Sequence, residues 1–200
     1  MNALIDALFT HGYYIWDDFL SEHEVAELRD CLPDTWKKAR IGRNEETVRA
    51  ASIRSDKIHW LSPAMGEPVQ AYLDKMERIR LAANQHFFLG LFEYEAHFAK
   101  YERGDFYQKH LDSFKGNENR RLTTVFYMNE EWHEADQGEL VIYDLNDQMI
   151  EKVAPKAGRL LVFFSEQFPH EVLPTQAERY SIAGWFRVNG VQGNQLDIAR

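Results

Sequence analysis

The chain has 200 residues, of which 44% are hydrophobic, 28% charged and 14% aromatic, and its net charge is −9. This balance predicts one soluble globular domain with a sizeable core and argues against a disordered chain. The acidic surplus argues against a general nucleic-acid binder, and no apolar run approaches the ~20 residues of a membrane span.

The N-terminus "MNALIDALFTHGYY" shows neither a basic n-region nor a small-residue cleavage site. The single cysteine, Cys31, cannot close an internal disulfide. A cytoplasmic location is the expectation. Ser21-Glu22-His23-Glu24 has the capping-box pattern, with Ser at the N-cap and Glu three residues on. Val25, Leu28 and Leu32 follow at helical spacing, and Pro33 is expected to end or kink that helix. From Lys37 to Lys57 the basic residues Lys37, Lys38, Arg40, Arg43, Arg49, Arg54 and Lys57 outnumber Glu45, Glu46 and Asp56. By itself such a run reads as a solvated loop.

A second helix is predicted from about Pro68, a favourable first-turn residue. Val69, Tyr72, Leu73, Met76, Ile79 and Ala83 form its apolar stripe, which reads as core. After Gly90 short β-rich runs appear: "EYEAHFAKY", "LTTVFYM", "ELVIYDL", "RLLVFF" and "RYSIAGWFRV". The connections "KGNEN", "ADQG", "LND" and "APKAG" carry turn chemistry. Helices followed by regularly spaced strands predict helices packed outside one β core of sandwich or barrel type. The chain reads as one domain over residues 1–200, with a helical N-terminal part over about 1–90 and a catalytic β core over about 91–190.

Chemistry concentrates in "KYERGDFYQKHLD". In extended chain, His110 and Asp112 would point to one face. They could then take two adjacent positions on a metal ion, with His170 of "EQFPHEVLP" as the third ligand. Two imidazoles and one carboxylate can occupy one face of an octahedron and leave three positions open, as in non-haem Fe(II) oxygenases. Zinc accepts the same donors. On its own the H-x-D pair reads more readily as two polar residues at a strand edge. Arg179, nine residues after His170, could fork onto a cosubstrate carboxylate, and Tyr127 could add a phenol donor. Taken singly, Arg179 reads as a strand residue in a salt bridge and Tyr127 as a core aromatic. The ordered set H-x-D, distal His, then Arg arises by chance far less readily.

This set resembles the Fe(II)- and 2-oxoglutarate-dependent dioxygenases, and among them the prolyl hydroxylases of the hypoxia-inducible-factor type and their compact bacterial relatives. "IRSDKIHWL" (Ile53 to Leu61), "RRLTTVFYMN" and "GRLLVFFSEQFPHEVLPTQAERYSIAGWF" are similar to the family's segments and fall in its order, over roughly residues 15 to 188. The resemblance implies a mainly β fold with flanking helices around a double-stranded β-helix, or jelly-roll, core. It implies Fe(II) on His110, Asp112 and His170, and 2-oxoglutarate on Arg179 and Tyr127. O2 is the second cosubstrate and ascorbate the expected reductant. The implied reaction is procollagen-proline-type 4-hydroxylase chemistry, with release of succinate and CO2 and hydroxylation of a prolyl residue.

By the same resemblance Tyr107, Arg120 and Trp185 line the substrate pocket. The basic stretch from about Arg40 to Lys57 falls on a loop that closes over the peptide, which makes Arg54 and Asp56 candidate substrate or loop-anchoring charges. Tyr101 is expected near the cosubstrate, although its spacing to His110 is one residue shorter than in the animal enzymes. A protein partner with a target proline is implied, elongation factor Tu among the candidates. Two other readings stand beside it: a hydroxylase of free amino acids or other small molecules, and a jelly-roll sensing or binding module without turnover. His11, His23, His59, His86, His97 and His133 have no supporting spacing and read as surface or supporting residues.

Overall fold

The computed structural model describes residues 1–39, 53–113 and 119–189 in full, and 190–192 and 195–197 by their backbone. The predicted covering loop therefore lies outside the described residues over 40–52, as does most of the "KGNEN" turn.

Three α-helices are described: α1 (Asn2–His11), α2 (Glu22–Asp30) and α3 (Glu67–Phe87). The Ser21 capping box forms as predicted, with the Ser21 hydroxyl accepting from the Glu24 backbone and Glu24 accepting from the Ser21 backbone. Helix α2 ends at Asp30, before Leu32. Pro33 disfavours the helical conformation for the residue that precedes it. Helix α3 buries Val69, Tyr72, Met76, Ile79 and Ala83, the predicted stripe, with Leu73 partly buried beside them.

The strands form two antiparallel sheets and a short hairpin. The seven-stranded sheet has the order β1-β9-β6-β11-β4-β3-β2. These strands are β1 (Tyr13–Trp16), β2 (Lys37–Lys38), β3 (Lys57–Trp60), β4 (Glu93–Tyr101), β6 (Arg120–Tyr127), β9 (Leu160–Phe164) and β11 (Arg179–Arg187). The four-stranded sheet has the order β5-β10-β7-β8, from β5 (Tyr107–His110), β7 (Leu140–Tyr143), β8 (Met149–Val153) and β10 (His170–Val172). Strands β12 (Gly190–Gln192) and β13 (Gln195–Asp197) pair with each other. The N-terminal part is thus not purely helical, since β1, β2 and β3 complete the large sheet.

Period-two alternation assigns the two faces of the large sheet. Phe98, Leu122, Phe126, Leu160, Val162, Ile182 and Phe186 pack against Leu4, Leu8, Val25, Leu28 and the α3 stripe. Each fully buried Phe here stabilises the fold by about 2 kcal/mol. The alternate residues Val125, Tyr127, Leu161 and Phe163 face the small sheet and meet Leu140, Ile142 and Val153. Both faces of the inner strands are therefore covered, which is why β9 and β11 read as nearly unbroken apolar runs. Gly184 is required on the helix side, because a Cβ there would collide with the Tyr94 hydroxyl. The inner face, between the two sheets, holds the functional residues.

Candidate active site

His110 closes β5 and His170 opens β10, and the two strands pair with these histidines directly opposite each other. Asp112 does not lie in the strand. β5 ends at His110 and Asp112 sits on a bend two residues on. The expected same-face placement in extended chain gives way to a different device: the buried Thr123 hydroxyl on β6 donates to Asp112 Oδ2 at 2.8 Å and draws the carboxylate inward. One ligand atom from each of His110, Asp112 and His170 lies within 4.8 Å of the others, the single group of this kind among the described residues.

Backbone carbonyls set the imidazoles. His110 Nδ1 lies 2.7 Å from the Gln108 carbonyl, and His170 Nδ1 lies 3.1 Å from that of Phe168. A carbonyl only accepts, so each Nδ1 carries the proton and each Nε2 presents its lone pair. Those Nε2 atoms stand 3.6 and 3.5 Å from the Asp112 oxygens. Burial first, and His110 second, push the His170 imidazolium down to about 4. Burial would raise the Asp112 carboxyl, but the two neighbouring imidazoles and Arg120 outweigh it and hold it well below the carboxylate range. Two imidazoles and one carboxylate, fixed in orientation and converging on one point, suit a hard or borderline divalent metal such as Fe(II).

Arg179 lines another part of the same pocket, with Tyr127 packed beside its guanidinium. Arg179 is 1% exposed; its Nε donates to the Gly138 carbonyl at 2.9 Å and its Nη1 to the Ser181 hydroxyl at 3.2 Å. Its Nη2 has no partner, and neither has the buried Tyr127 hydroxyl. Burial, only partly offset by Arg179, pushes the Tyr127 phenol up to about 12, so it remains a neutral donor. Tyr101 stands opposite Arg179 in the β4–β11 register, with the guanidinium carbon 4.8 Å from its ring centre; the Tyr127 ring lies at 5.1 Å. Unpartnered buried donors are costly. Here they face the same acceptor requirement, which a carboxylate meets. Tyr127 is four residues from Thr123 on the same face of β6, roughly 13 Å by strand rise.

The expected substrate residues fall around this pocket, which encloses about 460 Å³ of space partly open to solvent. Tyr107 stacks on His110, with ring centres 3.7 Å apart and planes at 17°. Arg54 covers the Tyr107 ring at 4.3 Å and forks onto Asp56 with bonds of 2.7 and 2.6 Å. Asp56 is 1% exposed, so of the two readings for this pair the anchoring one has the geometry behind it. Trp185 lines the pocket wall, and the Arg120 guanidinium lies 3.7 Å over its ring while two of its nitrogens bond Glu95. Thr123 and Ser181 escaped the sequence reading, and His97, read there as a surface or supporting residue, lines the pocket with them. Each lies an even number of residues from a named site residue on the same strand, Tyr127, Arg179 and Tyr101 respectively. The strand alternation was the signal that could have found them.

Residues 96–187 match the family described as the 2OG-Fe(II) oxygenase superfamily. The fold is similar to the crystal structure of a Pseudomonas putida prolyl-4-hydroxylase, with 39% identity, 94% of this chain and 99% of that one covered, and a TM-score of 0.83. It is also similar to a Trichoplax adhaerens prolyl hydroxylase solved with a peptide fragment of the hypoxia inducible factor oxygen degradation domain, at 26% identity, 93% and 88% coverage, and a TM-score of 0.78. Among curated proteins, human Egl nine homolog 1 is 29% identical over 201 residues, covering 93% of this chain and 46% of the relative. The chain spans about half the length of the human, rat and mouse Egl nine homologues it matches.

Proposed function

The chain belongs to the 2OG-Fe(II) oxygenase superfamily, in its prolyl hydroxylase branch, and from that premise we propose that it hydroxylates a prolyl residue in a protein substrate. The observation that carries the proposal is one pocket lined by both a three-ligand cluster and Arg179, whose unpartnered buried Nη2 has the unpartnered Tyr127 hydroxyl as a neighbour.

In this proposal His110, Asp112 and His170 hold Fe(II), and Arg179 Nη2 with the Tyr127 hydroxyl holds the far carboxylate of 2-oxoglutarate. Bound there, Fe(II) with O2 and 2-oxoglutarate supplies an oxidation that yields succinate and CO2 and places one oxygen atom on a substrate C–H bond. The rest is done by the chain. The Gln108 and Phe168 carbonyls keep both Nε2 lone pairs directed inward. Thr123 keeps Asp112 in place. Ala99, Val125, Leu140, Val172 and Ala183 give the pocket apolar walls that exclude water. Trp185 offers an aromatic wall to a compact, already rigid prolyl ring, which loses little conformational entropy on binding, while Tyr107, held between His110 and Arg54, borders the same space. Arg120, stacked over the Trp185 ring and tied to Glu95, steadies that wall. The target protein belongs to the proposal too: a cytoplasmic protein with an accessible proline, elongation factor Tu being the first candidate on the resemblance to compact bacterial relatives.

The test compares the proteomes of cells carrying the wild-type protein and the His170→Ala variant by mass spectrometry. One added oxygen on a specific proline, present only with the wild type, is the expected result. Succinate release with a free amino acid and no modified protein would replace this reading with the small-molecule one.

A further inference from the structure

His97 is the one pocket histidine that the metal cluster does not use. It lies on β4 opposite Ala183 and is 2% exposed. Two indoles grip its ring: Trp60 edge-on at 5.2 Å and 89°, and Trp185 at 5.5 Å and 57°. Nδ1 stands 3.2 Å from the Phe98 carbonyl. That oxygen can only accept, so Nδ1 carries the proton. Burial, with Arg54 and Arg120 adding to it, pushes the imidazolium down to about 4. The ring is therefore neutral at physiological pH, and Nε2 is a bare acceptor.

His97 is one of the residues that line the pocket. Trp185 beside it carries a buried indole N–H that has no partner, and Ala99, Val125 and Ala183 of the same pocket have no side-chain donor. A bound molecule that brings a donor to this acceptor gains one hydrogen bond there. A prolyl ring brings none, since its nitrogen has no hydrogen. The nearest donor that a polypeptide supplies in nearly every sequence context is the backbone N–H of the following residue.

We propose that His97 is a specificity-determining residue whose Nε2 accepts the backbone N–H of the residue that follows the target proline. The inference rests on the prolyl-peptide reading above and narrows it. Free proline has no such amide, and a proline followed by a second proline has no N–H to offer. Both are poor substrates on this account.

The test uses the full chain loaded with Zn(II), in place of Fe(II), and 2-oxoglutarate, so that nitrogen NMR of labelled histidine is readable. The probes are N-acetyl-proline N′-methylamide and N-acetyl-proline methyl ester, which differ by the one N–H. The expected resting state has His97 protonated on Nδ1. The amide should move the Nε2 resonance and bind about fivefold or more tightly than the ester, the worth of one hydrogen bond. His97→Leu should erase that preference, and His97→Gln, which keeps an acceptor, should restore part of it. A proton on Nε2 in the resting protein overturns the inference whether or not either variant folds. Equal effects of the two probes, or an amide preference that survives in His97→Leu, overturn it while leaving the prolyl reading intact. No response to either probe at tens of millimolar counts against the prolyl-peptide reading, and the inference falls with it.

Discussion

Thr123 and Asp112, on separate segments and eleven residues apart, share a buried hydrogen bond of 2.8 Å from hydroxyl to carboxylate. Ser165 stands behind Thr123 at 2.9 Å, so its hydroxyl can donate to Thr123 while Thr123 donates to Asp112. The carboxylate is thus aimed by the large sheet, although both histidines come from the small one. Removing the aiming hydroxyl by Thr123→Val should weaken Fe(II) binding about 10- to 100-fold, the usual effect of losing such a support. Anaerobic Fe(II) titration measures this directly. An unchanged affinity would mean that the bend at Asp112 positions the carboxylate unaided.

Arg179 donates to Gly138 and Ser181 and keeps one nitrogen in reserve. Arg179→Ala should raise the 2-oxoglutarate requirement at least about tenfold, since a charge-assisted contact contributes about 1.5–3 kcal/mol. Arg179→Lys should also be impaired, because an ammonium cannot hold the Gly138 carbonyl and a carboxylate in the same fork geometry. Isothermal titration of 2-oxoglutarate into the metal-loaded protein reads both effects.

Tyr127→Phe should separate stability from binding. The hydroxyl it removes is buried and has no partner. The ligand-free protein should melt at the same temperature or slightly higher, with a gain of up to about 1 kcal/mol. The upward shift of melting temperature that 2-oxoglutarate produces should shrink in the same variant. Loss of stability without ligand would show that the hydroxyl is satisfied in solution.

The Arg54–Asp56 fork connects the described end of the basic stretch to the metal site, because Arg54 lies on Tyr107 and Tyr107 stacks on His110. Asp56→Ala leaves a buried guanidinium uncompensated, at a cost of about 3–5 kcal/mol. The double variant Arg54→Met, Asp56→Leu should recover most of that loss, since it removes both charges together. Chemical denaturation of the three proteins tests the order of stabilities. A single variant no less stable than the double would show that the pair is solvated.

His97 makes the protein's stability pH-dependent in a predictable direction. Its folded-state value of about 4 lies below the ordinary histidine value, so between roughly pH 6.5 and 4 the unfolded chain binds the extra proton and the folded one does not. This histidine therefore lowers stability as the pH falls through that window, by at most about 1.4 kcal/mol per pH unit. It has no such effect above it. His97→Gln should give a shallower fall across the window when metal-free proteins are unfolded in denaturant. Parallel curves for the two proteins would mean that the folded imidazole takes up its proton over the same range as the unfolded one.

Legibility in the sequence followed burial. β4 was readable to the residue as "EYEAHFAKY", and β9 and β11 nearly so, because inner strands covered on both faces carry dense apolar and aromatic runs. The helices α2 and α3 announced themselves by a capping box and a stripe. Helix α1 and the four-residue strand β1 did not, since so few residues show no decisive period. Strand β10 has only three residues and exists because β5 and β7 flank it.

Taken alone, the sequence determined the chemistry of the donors. Two histidines, a carboxylate, an arginine and a tyrosine occur in an order that chance rarely supplies, and residue type decides which atoms can bind a metal or a carboxylate. Tertiary structure alone decided where those atoms point. His110 and His170 are sixty residues apart and meet only through the register of two strands. Asp112 reaches them from a bend through Thr123, and Arg54 turns out to be spent on Asp56 and Tyr107. His97 became an acceptor only once Phe98 had fixed its tautomer and two indoles had closed around it. The reason is physical: donor identity is covalent and local, whereas orientation, burial and the absence of a partner depend on neighbours that folding brings in from distant parts of the chain.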